Sequence, residues 1–136
     1  GYLEIADFIS TYGCNIDKNL KQLWRRIIFN IAVSNTDDHL RNHGFILTEK
    51  GWELSPAYDI NPSIEKDGLA LNIDMDNNEL DYELAFSVGK YFRLHKTDMV
   101  RIKEEVISSV KQWKDTATRI GISKSEIDLM EAAFRV

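Results

Sequence analysis

With 136 residues, 43% of them hydrophobic, the chain has material for one domain with its own core and needs no cross-link to fold. Its 17 basic and 22 acidic residues leave a net charge of −5, so the basic stripe that duplex nucleic acid demands is missing and direct nucleic-acid binding is not expected. The single Cys14 forbids an internal disulfide and suits a reducing, cytoplasmic setting. No apolar run approaches the roughly 20 residues of a membrane span, and no signal sequence opens the chain, so no membrane partner is expected.

Taken in chain order, Leu3, Ile5, Ala6, Phe8 and Ile9 predict a short helix over 3–12, stopped at Gly13 as a left-handed cap. A second helix is predicted from a cap at Asp17 to about Ser34. Leu20, Leu23, Trp24, Ile27, Ile28 and Ile31 recur at helical spacing, and Phe29, Ala32 and Val33 widen that stripe until the last turns are apolar nearly all round. Such a helix belongs in the centre of a fold. Lys18, Lys21, Arg25 and Arg26 on the same helix read as its solvated face.

Gly44-Phe45-Ile46-Leu47-Thr48, then Glu49-Lys50-Gly51, then Trp52-Glu53-Leu54 predict a β-hairpin with glycine in the turn. Pro56 and Pro62 bracket Asp59, so 55–79 is expected to be irregular and to run over the surface. A helix follows over roughly 80–92. A long one is predicted from Thr97 to Ile120, on the stripe Met99, Ile102, Val106, Val110, Trp113, Ala117 and Ile120, with Gly121 ending it. Ser123-Lys124-Ser125-Glu126 is a capping box for a last helix that turns Ile127, Met130 and Phe134 inward. The expected fold is mainly α (α+β), a helical bundle with one β-hairpin, over a single domain 1–136.

The chemistry-bearing segment is Asn35-Thr36-Asp37-Asp38-His39-Leu40-Arg41-Asn42, directly after the apolar helix. Asp37 and Asn42 stand at the spacing of the acid and amide in the protein-kinase motif H-R-D-x-x-x-x-N. Asp59 adds a second acid 17 residues after Asn42. In phosphoryl transfer one carboxylate accepts the proton of the attacking hydroxyl, while an amide oxygen and another carboxylate hold magnesium. On residues alone, a polar loop whose Asn and Asp side chains bond their own backbone accounts for the segment about as well.

Flanking residues add to this. The loop resembles that of the HipA-like kinases, bacterial toxin-type Ser/Thr kinases whose loop reads roughly T/N-x-D-x-H-x-K-N. Gly1-Tyr2-Leu3-Glu4-Ile5-Ala6 is similar to their G-S-Y-x-x-I-A helix start, and Leu54-Ser55-Pro56-Ala57-Tyr58-Asp59 to their L-x-P-x-Y-D metal segment. The resemblance covers essentially the whole chain as the family's C-terminal portion and implies a protein-kinase-like C-lobe. It implies Asp37 as catalytic base, with Asn42 and Asp59 holding magnesium and the nucleotide, and His39 and Arg41 shaping the loop or touching phosphate. ATP and Mg²⁺ are the implied cofactors. The implied partners are a protein substrate with a Ser or Thr hydroxyl and a helix-turn-helix antitoxin. Two departures stand out: Arg41 replaces the usual Lys, and Ile60-Asn61 replaces the Phe-Gly of ordinary protein kinases.

The chain has no G-x-G-x-x-G loop, no G-x-x-x-x-G-K-[ST] and no V-A-I-K lysine. The ATP-binding lobe is therefore expected to be absent, N-terminal to Gly1, and the piece alone to be inactive. Alternatives are a non-catalytic interaction module that keeps the C-lobe fold, or a phosphotransferase acting on a small molecule. Other chemistry fits poorly. Asp74, Asp76 and Asn78 match the first ligands of an EF-hand, but Glu79 and Ala85 occupy the positions of its glycine and final glutamate. His39, His43 and His95 lack zinc-site spacing, and Asp38 beside the base is expected to be a solvated loop acid.

Overall fold

The computed structural model describes all 136 residues. Helix α1 (Tyr2–Tyr12) ends at Gly13, which is extended (φ −79°, ψ 161°) rather than left-handed. The chain leaves the helix straight toward the hairpin, where Cys14 N–H donates to the Trp52 carbonyl at 2.9 Å. Helix α2 (Ile16–Val33) starts one residue before the predicted cap. Asn15, in the left-handed region at φ 48°, precedes it, and Asp17 lies in the first turn, where a carboxylate faces the positive end of the helix dipole.

The apolar stripe of α2 does what its width predicts. Leu20, Leu23, Trp24, Ile27, Ile28 and Ile31 are all fully buried and form the middle of a 24-residue hydrophobic cluster. Trp24 also satisfies its one donor, Nε1–H bonding the Ala85 carbonyl at 2.9 Å, and sets its edge against Phe86. A buried Trp that lost that partner would carry an unmet N–H into the core.

Strands β1 (Phe45–Thr48) and β2 (Gly51–Leu54) pair antiparallel with Thr48 opposite Gly51, leaving Glu49-Lys50 as the two-residue turn. Gly51 has φ +132°, a conformation that side chains on L residues rarely adopt, and an added Cβ would sit 3.2 Å from the Tyr12 carbonyl. The glycine therefore lets the hairpin close against the end of α1.

Residues 55–81 hold no helix or strand, as expected, but they do not simply skirt the surface. Leu69, Leu71 and Ile73 are buried, alternating with residues that are not, and Asn72 O accepts from Tyr2 N–H at 3.0 Å. Period-two alternation thus drives an irregular segment into the core. Asp74 behaves as a turn acid, its Oδ1 accepting from the backbone of Asp76 and Asn77.

Helix α3 (Tyr82–Ser87) is capped by Asp81, and a 3-10 turn over Gly89–Phe92 follows where one longer helix was predicted. The expected helix from Thr97 to Ile120 is two: α4 (Lys96–Val110) and α5 (Trp113–Arg119). At the junction Gln112 N–H bonds the Ser109 carbonyl three residues back, a tightened turn that redirects the chain. Trp113 then stacks on Phe134 at 3.9 Å and 5° between planes, and Ile120, assigned to the core, is 68% exposed. Helix α6 (Lys124–Met130) begins as predicted, with Ser123 Oγ accepting from Glu126 N–H. The molecule is mixed α and β, mostly helical, with one two-stranded hairpin.

Candidate functional site

The polar loop is built by the way α2 ends. Ser34 takes the left-handed conformation (φ 54°), and Asn35 N–H and Nδ2 both bond Asn30, to its carbonyl at 2.9 Å and its Oδ1 at 3.0 Å. Asn35 and Thr36 are buried in this cap at 2% exposure each. The first two residues of the motif are thus structural, and they push Asp37 out of the fold.

Asp37 and Asp38 then part company. Asp37 is open to solvent, its side chain 68% exposed, with Oδ1 2.8 Å from His39 Nε2. Asp38, expected to be a solvated loop acid, is instead buried at 5% exposure. Its Oδ2 accepts from Tyr2 O–H at 2.6 Å and Asn30 Nδ2 at 2.9 Å, and lies 2.8 Å from His43 Nε2. The reversal has a simple cause: a 3-10 turn over Leu40–Asn42 curls the chain back, so one of two adjacent acids must face the core, where donors from α1, α2 and the loop await it. Burial, then the charge of Asp38, hold the Tyr2 phenol well above the ordinary tyrosine range.

Asn42 closes the turn. Its Oδ1 accepts from His39 N–H at 2.8 Å, and its Nδ2 donates to Asp59 Oδ2 at 3.3 Å. Residues 17 apart in sequence therefore meet side chain to side chain. Asp59 arrives there from β2 through Ser55, whose N–H bonds the Gly44 carbonyl, and Tyr58, whose O–H bonds the Arg41 carbonyl at 2.5 Å. Its backbone is left-handed at φ 55°, a strained conformation of the kind that concentrates at functional sites. The Arg41 side chain points to solvent without an ion pair. Of the five residues singled out in the sequence, the fold joins Asp37 with His39 and Asn42 with Asp59, and leaves Arg41 free.

A cavity of about 480 Å³ lies behind the loop, walled in part by Arg26, Asn30, Asp38, Asn42, His43 and Tyr58; Asp37 and Asp59 are not among its walls. Arg26, read as part of a solvated face, is 7% exposed and donates to the Ser55 carbonyl. Desolvation lowers its pKa, and the charge of Asp38 partly offsets this. Tyr2, Asn30, Arg26, Asp38 and His43 were all missed as site residues. Asn30 alone carried a signal, a polar residue amid Ile27, Ile28, Ile31 and Val33.

No group of three or more His, Cys, Asp or Glu side chains gathers to hold a metal by itself. One amide and one carboxylate in contact are still the donor set that suits magnesium, which keeps waters and phosphate oxygens for its other positions. Asn42 turns Nδ2 rather than Oδ1 toward Asp59, so the two would share a metal ion once the amide rotates.

A model of the HipA-like C-terminal domain family matches residues 1–130. Comparison with curated proteins returns no match.

Proposed function

The chain belongs to the HipA-like C-terminal domain family, and from that premise we propose that it is the catalytic lobe of a protein Ser/Thr kinase. The observation that carries the proposal is the meeting of Asn42 and Asp59 at 3.3 Å beside the exposed Asp37–His39 pair. An amide and a carboxylate in contact, with one solvent-facing acid nearby, brought together by the loop after α2 and the segment after β2, are the residue set that phosphoryl transfer uses.

In this reading Asp37 orients the substrate hydroxyl and accepts its proton late in the transfer, an effect on the order of 10² to 10⁴ in rate. His39 fixes the Asp37 carboxylate through its 2.8 Å contact. Asn42 and Asp59 hold Mg²⁺, which when bound supplies charge neutralisation for the phosphates of ATP. Arg41, unpaired and exposed, is free to contact a phosphate oxygen. The phosphoryl group goes to a Ser or Thr hydroxyl of a protein. Because the chain carries no glycine-rich phosphate loop and no strand lysine, a further lobe must cover the nucleotide. Kinship to toxin-type kinases supports a toxin role in the cytoplasm, opposed by a helix-turn-helix antitoxin.

A radiolabelled ATP transfer assay on the complete gene product and on the 136-residue chain tests this. The complete protein is expected to phosphorylate protein, with Asp37→Asn lowering the rate at least 100-fold, by roughly the lower bound for a general base. The chain alone is expected to turn over no ATP. Full activity in the Asp37→Asn protein would sink the assignment. Turnover by the chain alone, lost on Asp37→Asn, would overturn the need for a second lobe.

A second reading, a non-catalytic interaction module, draws on an open groove of about 700 Å³ between α4, α5 and α6, walled by Val110, Trp113, Ala117, Ile127 and Phe134. Apolar grooves of this kind serve protein partners.

A further inference from the structure

Four cations, Lys18, Lys21, Arg25 and Arg26, lie along α2, and the fold treats them unequally. Lys18 lies 3.3 Å from Glu53, and Arg25 pairs with Glu105 at 2.6 Å. Lys21 and Arg26 have no carboxylate within 4.0 Å. All four line a cleft of about 480 Å³ between α2 and the end of β2, closed on the far side by Ser55 and Pro56.

Arg26 is the unusual member. It is buried at 7% exposure, donates one hydrogen bond to the Ser55 carbonyl, and leaves Nε and Nη1 with no acceptor. A buried guanidinium without a paired anion is costly, because desolvation is not repaid by a partner. Asp38 does not supply one: it stands beyond ion-pair distance, and its Oδ2 already serves Tyr2, Asn30 and His43. The cleft is where an anion from outside can approach that charge.

We propose that this cleft binds a phosphate monoester, with Arg26 at its base and Lys21 at its mouth. Charge selects the ligand. Two cations without an ion-pair partner match a phosphate monoester, which carries about −1.5 to −2 at pH 7, better than a carboxylate with a single charge. Arg26 acts through its charge, because its acceptor-free Nε and Nη1 are shielded from solvent, and Lys21 at the mouth supplies the direct contact to a phosphate oxygen. Asp37, Asn42 and Asp59 do not line this cleft, although it adjoins the cavity behind the loop, which Arg26 and Asn42 both wall; the phosphate reading rests on the cations of α2 and stands whether or not the catalytic one holds.

The test is titration of the 136-residue chain, followed by amide chemical shifts at residues 18–26 and 53–56, with three probes: acetyl-Gly-phosphoSer-Gly-amide, the same peptide unphosphorylated, and inorganic phosphate. Saturable shifts are expected with phosphate-bearing probes and none with the bare peptide. Lys21→Gln, half-exposed and free of structural partners, is expected to weaken binding roughly tenfold, as fits loss of one charge-assisted contact. Lys18→Gln, whose charge Glu53 already neutralises, should weaken it less. Tighter binding of the phosphopeptide identifies a phosphorylated side chain as the ligand; equal binding of inorganic phosphate identifies the free ion. No saturable shift in the millimolar range, or an unchanged Kd in Lys21→Gln, overturns the proposal.

Discussion

Two adjacent aspartates have opposite fates here, and the difference is one of donors. Asp38 meets three polar hydrogens in a space that excludes water, so its charge is compensated and its removal is expensive. In Asp38→Ala, Tyr2, Asn30 and His43 all lose an acceptor, and unmet buried groups cost about 1–3 kcal/mol each before relaxation. The expected loss of stability is roughly 2–4 kcal/mol, read by urea unfolding. A loss below about 0.5 kcal/mol, the range of ordinary surface changes, would mean the network carries little. Removal of the exposed Asp37 carboxylate should leave stability nearly unchanged, which lets an activity effect be separated from a folding one.

Tyrosines give a pH signature at the same scale. Burial, then Asp38, raises the Tyr2 pKa well above its ordinary value, and burial pushes Tyr82 up to about 12, despite the opposing charge of Arg135. A raised pKa means the folded state holds its proton more tightly than the unfolded chain. The associated stability is complete below the unfolded value of about 10 and is lost as pH rises through the folded one. Stability should therefore fall between pH 10 and about 12, and Tyr82→Phe should flatten part of that slope. A parallel decline in the variant would assign the alkaline loss elsewhere.

Among the elements, α2 and the hairpin were legible because each has a strong local cause. The α2 stripe has too many apolar positions to be anything but central, and the hairpin has two short strand-forming runs on either side of a glycine-bearing turn. Gly51 is the part of that turn that a side chain would break: Gly51→Ala must adopt φ +132° and crowd the Tyr12 carbonyl. We expect a cost of roughly 1–3 kcal/mol, visible as a lowered Tm, whereas a Tm within error of the parent would deny the strain. The α4–α5 break was not legible. Met99 through Ala117 keep one helical period, and nothing between Val110 and Trp113 stops a helix; the turn exists because Trp113 finds Phe134, 21 residues on. Leu69, Leu71 and Ile73 were legible in principle, since they alternate, but prolines and acids around them pointed to a surface loop.

For the molecule as a whole, the 24-residue cluster draws on α1, α2, residues 69–73, α3 and α4 but stops at Val110. Helices α5 and α6 rest outside it, held by the Trp113–Phe134 stack and by bonds from Arg135 N–H to the Ala32 carbonyl and Ser34 Oγ to the Ala133 carbonyl. Fewer buried apolar contacts mean a lower opening free energy. Native-state hydrogen exchange should show amides of α5 and α6 opening below the global limit, while those of Leu23–Ile31 exchange only on full unfolding. Equal protection in both regions would show that the C-terminal helices belong to the same cooperative unit.

The sequence by itself determined the family, the mainly helical class, the central helix and the order of the candidate residues Asp37, His39, Arg41, Asn42 and Asp59. Each of these depends on neighbours within a few turns, or on a motif carried whole. Which acid faces solvent, which arginine is buried, and that Asn42 touches Asp59 were decided only by tertiary structure. Burial and pairing depend on what other segments bring to a point in space. No local pattern in 35–42 announces that Tyr2 will arrive from α1 to claim Asp38, or that Ser55 will draw Arg26 out of water.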